Sequence, residues 1–133
     1  MSARNPKILV CDDDDGIRGM LLAFLDGEGF EVTGVADGPS CLAAVVEDPP
    51  DIVVLDVMMP GMDGYQVLEV LRRDHSELAL KVVMLTARTS DADIWHGWTS
   101  GVDYYMSKPF DPEELLRFLH FLAHQTGTVA PTE

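Results

Sequence analysis

Residues 51–64 read DIVVLDVMMPGMDG. Asp51 to Leu55 is a nearly unbroken aliphatic run without polar alternation, the pattern of a strand covered on both of its faces. The run stops at an acid, Asp56, passes through Pro60 and Gly61, and leads past Gly64 into a helical stretch carrying Val67, Leu68 and Leu71. Strand, acid, loop and helix thus follow one another in a short space. Similar apolar runs lie to either side, at Lys7 to Cys11, Glu31 to Val35, Lys81 to Leu85 and Val102 to Met106.

Helical spacing fills the intervals. Ile17, Met20, Leu21, Phe24 and Leu25 recur at i, i+3, i+4, i+7 and i+8 and predict a helix ending near Gly27 to Gly29. A second helix is predicted from about Pro39, through Leu42, Val45 and Val46, to the Pro49-Pro50 stop. The last opens on Asp111-Pro112-Glu113-Glu114, an N-cap, a first-position proline and a capping-box glutamate, and buries Leu115, Phe118, Leu119 and Leu122. The fourth, about Asp91 to Ser100, contains Gly97, Thr99, Ser100 and two tryptophans, and these poor helix formers make it the least stable of the five.

Five strands alternating with five helices predict an α/β fold of right-handed βαβ units: a doubly wound, five-stranded parallel sheet with helices on both faces. Ligand sites in such sheets lie beyond the carboxyl ends of the strands, where strand order reverses. The chain of 133 residues and 14.6 kDa suits one domain. From Gln125 the sequence QTGTVAPTE reads as a flexible tail or a truncated linker, which leaves residues 1–124 as the folded unit.

Composition narrows the classes of function. Hydrophobic residues are 47% and charged residues 24%, values of a globular domain. Nine Lys plus Arg against 23 Asp plus Glu give a formal net charge of -14. That surface repels phosphate backbones and anionic headgroups, which argues against nucleic-acid or membrane binding by this domain and favours a cation or a basic partner. Cys11 and Cys41 match neither a metal spacing nor a disulfide framework. No apolar run reaches the ~18 residues of a membrane span, and Met1 to Pro6 has no signal-peptide core, so a cytoplasmic setting is expected.

The residues after each strand carry the chemistry. Asp12 to Asp15 follow the first strand, and Asp14 and Asp15 suit the N-terminus of the next helix, where the dipole favours negative charge. One cap needs one acid, so Asp12 and Asp13 are left for another role. Asp56, taken singly, is a turn former at a strand end. The first and third strands are neighbours in the expected topology, however, and then three carboxylates converge. At ~6 Å and an effective dielectric of ~20 each pair repels by roughly 2.8 kcal/mol. A hard divalent cation such as Mg2+ relieves this. Thr86 after the fourth strand and Lys108 after the fifth add a hydroxyl and a cation, which completes a set able to hold a metal and a phosphoryl group together.

Taken in order and spacing, LVCDD, DIVVLDVMMPGMDG, MLTA and SKPF resemble the receiver domain of bacterial two-component response regulators, the chemotaxis-regulator type included, over about Lys7 to His124. The resemblance implies a flavodoxin-like strand order 2-1-3-4-5. It implies that Asp56 is the phosphoacceptor, that Asp13, Asp56 and the main-chain carbonyl of Met58 bind Mg2+, and that Asp12 assists through water. It further implies that Thr86 and Lys108 contact the phosphoryl group, that the Lys108-Pro109 bond is cis, and that Tyr105 is the aromatic switch residue. A sensor histidine kinase or a histidine phosphotransfer protein is the implied donor. The fourth helix, fifth strand and fifth helix, with Ile94, Trp98 and Tyr105, form the implied output surface toward a partner, an output domain or a second copy. Met58 and Arg88 occupy the positions that tune hydrolysis of the aspartyl phosphate in this family.

A haloacid dehalogenase-like phosphatase also uses an Asp nucleophile, a Thr or Ser, a Lys and Mg2+, and Asp13 to Gly16, DDDG, superficially resembles its first motif. That family needs a further acidic motif at a strand end after the lysine, whereas here PFDPEE opens a helix. A calcium loop with Gly16 in its sixth position would place Cys11 first and Leu22 twelfth, and neither offers a side-chain oxygen.

Overall fold

The computed structural model describes residues 5–87 and 101–125. Strands β1 (Lys7–Cys11), β2 (Glu31–Val35), β3 (Ile52–Asp56), β4 (Lys81–Thr86) and β5 (Tyr104–Ser107) form one parallel sheet in the order β2-β1-β3-β4-β5. Helices α1 (Asp15–Asp26), α2 (Gly38–Glu47), α3 (Gly64–Asp74) and a C-terminal helix, Pro112–Gln125, cover it. The fourth helix expected near Asp91 to Ser100, with Ile94, Trp95 and Trp98, lies outside the described residues, as do Arg88 and the polar segment after Gln125.

Burial on two faces explains the unbroken aliphatic runs. Leu9, Val53, Leu55, Val82 and Met84 pack with Cys41 and Val45 of α2 and Val67, Leu68 and Leu71 of α3. Ile8, Val10, Ile52, Val54, Val83 and Leu85 pack with Leu21 and Leu25 of α1 and with Leu115, Leu119 and Leu122 of the C-terminal helix. Each fully buried Leu or Val contributes about 2 kcal/mol of hydrophobic stabilisation. β2, paired only with β1, is largely exposed.

Several sequence expectations shift by a residue or a turn. Met20 and Val46 face solvent, and Cys41, four residues before Val45, takes the inward position on α2. Phe118 is partly buried and stacks on Tyr104, with ring centroids 3.8 Å apart. β3 extends through Asp56, which pairs with Leu85 across the sheet. β5 begins at Tyr104 instead of Val102, because the Asp103 carboxylate accepts the Val82 amide at 2.7 Å and so replaces a strand partner. The C-terminal helix retains Gln125.

Candidate functional site

All the strand-end residues singled out among the described residues meet at one end of the sheet. β1 delivers Asp12 and Asp13, β3 ends in Asp56, β4 ends in Thr86, and Lys108 follows β5. The acids after β1 divide their work as their number suggests. Asp14 caps α1, its Oδ1 accepting the amides of Gly16 at 2.8 Å and Ile17 at 3.0 Å, while Asp15 pairs with Arg18. Asp12 and Asp13 are thereby left to face the crevice, where they and Asp56 present carboxylate oxygens all within 4.8 Å of one another.

Lys108 bridges two of the three acids. Its Nζ donates to Asp12 Oδ2 at 3.1 Å and to Asp56 Oδ1 at 3.2 Å. The Lys108 amide donates to the Thr86 carbonyl at 2.7 Å and so anchors the backbone from which this side chain extends; the Lys108-Pro109 bond is cis. Thr86 is fully buried and lies opposite Ser107. Burial first, then the charge of Asp12, pushes the Asp56 carboxyl up to about 6 against the pull of Lys108 and of the Met58 amide. Burial works to lower the Lys108 ammonium, but the charges of Asp56 and Asp12 outweigh it and raise it.

Three carboxylates against one ammonium leave the crevice with an excess of negative charge. The donors are hard oxygens, and Asp13 is exposed while Asp12 and Asp56 are buried. That set suits Mg2+, which keeps several waters and takes only one or two carboxylates. Asp12 is already committed, since its Oδ1 accepts the Asp14 amide at 2.9 Å and its Oδ2 faces Lys108. Asp13 and Asp56 are therefore the acids better placed for direct ligation, and Met58, half exposed beside them, flanks the opening.

The sequence as a whole agrees with this geometry. The model of the response regulator receiver domain matches residues 8–120. This chain belongs to that family. Among relatives of the receiver, the DNA-binding response regulator MtrA of Mycobacterium tuberculosis is 46% identical over 116 residues, which cover 87% of this chain and 50% of MtrA. The chain spans about half the length of the curated relatives it matches first. Among solved structures, the Francisella response regulator 1452 receiver domain superposes with a TM-score of 0.85 at 34% identity, over 92% of this chain and 99% of that one. Chemotaxis protein CheY4 of Vibrio cholerae gives 0.82 at 33% identity, over 89% and 98%. These matches favour the receiver over the haloacid dehalogenase-like phosphatase.

Two residues near the receiver site were not singled out in the sequence. Arg18 donates from Nη1 to the main-chain carbonyl of Asp12 at 2.8 Å, bracing the acidic loop. Tyr65 places its hydroxyl 2.7 Å from that of Tyr105. Arg18 could have been noticed as a cation one turn beyond an acid run. The Tyr65 pairing had no local signal, since its partner lies 40 residues away. Of the three residues named for the expected output surface, Tyr105, half-buried on β5, falls within the described residues, and Ile94 and Trp98 lie outside them.

Proposed function

We propose that Asp56 accepts a phosphoryl group from a phosphohistidine and that the receiver thereby switches a surface toward a partner. The observation that carries this reading is the Asp12, Asp13 and Asp56 cluster with Lys108 bridging Asp12 and Asp56. A carboxylate oxygen of Asp56 attacks phosphorus in line, a P–O bond forms, and the P–N bond breaks with its electron pair passing to the imidazole. Lys108, already in contact with Asp56, neutralises charge on the transferring oxygens. The Thr86 hydroxyl donates to a phosphoryl oxygen of the product. Asp13, Asp56 and the Met58 carbonyl would hold Mg2+, with Asp12 assisting through water, and the ion would supply charge neutralisation for the phosphoryl oxygens. Hydrolysis of the acyl phosphate resets the switch, so the chemistry is confined to the domain's own phosphorylation and dephosphorylation, and Met58 and Arg88 tune its lifetime.

The donor is a sensor histidine kinase or a histidine phosphotransfer protein of the cytoplasm. Output leaves through Tyr105, Ile94 and Trp98, toward a downstream protein, an output domain or a second copy. No helix among the described residues is long and apolar enough to cross a membrane. The receiver unit runs through the end of the C-terminal helix at Gln125, and 126–133 serve as tail or linker. The net charge of -14 argues against DNA contact by these residues.

The test is transfer from a radiolabelled, autophosphorylated histidine kinase. Label should pass to the wild type, be released by hydroxylamine as acyl phosphates are, and be absent from Asp56→Asn. Label retained on Asp56→Asn would move the nucleophile elsewhere.

A further inference from the structure

The Tyr65 to Tyr105 hydrogen bond ties β5, an edge strand of the sheet, to α3, the helix that follows the strand ending in Asp56. Tyr65 is the second residue of α3 and is buried, at 8% exposure. The start of that helix is pressed against β3. The Gly64 amide donates to the Val57 carbonyl at 2.9 Å, and a methyl group at Gly64 would overlap the main-chain oxygen of Asp56. Asp63 and Gln66 lock the same turn in a reciprocal capping box, with both bonds at 2.9 Å. The backbone that carries Tyr65 is therefore anchored against Asp56 and Val57, and its ring is buried.

Tyr105 is set differently. It is half-buried, lies on the edge strand β5, and is paired with Met84 of β4. Tyr105 is thus the more exposed of the two residues and Tyr65 the more buried. A hydrogen bond between the hydroxyl of a buried residue on anchored backbone and a hydroxyl on an edge strand selects one orientation of the second ring.

We propose that Tyr65 is a positioning residue that latches Tyr105 in the resting arrangement, so that switching must break the bond between their hydroxyls. The proposal rests on the reading of Tyr105 as the switch residue. A latch that stabilises only the resting arrangement opposes any ligand that prefers the other. Linkage makes the effect reciprocal: without the latch, Asp56 binds a phosphoryl mimic more tightly.

The chain has three tyrosines, Tyr65, Tyr104 and Tyr105, so tyrosine-labelled protein gives a spectrum of three rings. Beryllofluoride with Mg2+ is titrated onto the wild type, Tyr65→Phe, Tyr105→Phe and the double variant. In the wild type the Tyr105 ring signals should move on saturation. Tyr65→Phe should bind beryllofluoride about 3- to 10-fold more tightly, the change that one neutral hydrogen bond makes. Its free-state Tyr105 signals should already lie part-way toward the saturated position. Tyr105→Phe removes the same bond from the edge strand and should tighten binding likewise, and the double variant should add nothing further. Tighter binding by neither single variant, with Tyr105 still moving in the wild type, overturns the latch and leaves the switch standing. A wild-type Tyr105 that does not move at saturation overturns both.

Discussion

Asp56 is 3% exposed, lies beside Asp12, and has one ammonium 3.2 Å from its Oδ1. Burial and the Asp12 charge raise its carboxyl to about 6, so the fold binds that proton more tightly than the unfolded chain does. The stability so gained is complete below the unfolded carboxyl range near ~4 and is lost as pH rises through about 6. In EDTA, Asp56→Asn should therefore melt above the wild type at neutral pH by roughly 4 °C, the shift that ~1 kcal/mol gives a domain of this size. The gap should close by about pH 4, and a gap independent of pH would contradict the account. Repulsion also makes Asp13 costly without a cation. Asp13→Asn should melt higher than the wild type in EDTA yet gain less from added Mg2+, which stabilises by binding the folded state. Equal gains in the two proteins would remove Asp13 from the ligand set.

At the scale of elements, the start of α3 governs how firmly Asp56 is held. Gly64 has no room for a side chain against the Asp56 carbonyl, and backbone cannot yield as a flexible side chain does. Gly64→Ala should cost about 1–3 kcal/mol, the usual penalty of overpacking, and should slow phosphoryl uptake. A denaturant midpoint equal to the wild type's would show that α3 sits more loosely than described. β1, β3 and β4 were legible because burial on both faces leaves an aliphatic run that needs no partner to be recognised. The ends of elements were less so. Asp103 ends a strand pairing through its side chain, and Cys41 displaces Val46 from the inward face, and both outcomes depend on neighbours distant in sequence. The carboxylate cluster, Thr86 and Lys108 could be placed because every one of them ends a strand or lies within two residues of its end. For the segment bearing Ile94 and Trp98, beryllofluoride with Mg2+ should change Trp98 emission in a Trp95→Phe background. Trp98→Ala should weaken partner binding or self-association while leaving phosphorylation intact. An unchanged spectrum at saturation, with unaltered partner affinity, would place the output surface elsewhere.

Across the whole molecule, two helical layers and a central sheet serve to bring residues from four strand ends within bonding distance of one another. Asp12 and Lys108 meet although 96 residues separate them, and Asp56 and Lys108 although 52 do. The fold brings these groups together, and on the proposed reading their excess of negative charge makes phosphoryl transfer depend on a cation. The most direct measurement is the intact mass of the protein after incubation with acetyl phosphate, with and without Mg2+, for the wild type and Asp56→Asn. The account predicts a gain of one phosphoryl group by the wild type only when Mg2+ is present, and none by Asp56→Asn under either condition. Phosphorylation of Asp56→Asn, or of the wild type to the same extent in EDTA, would contradict it.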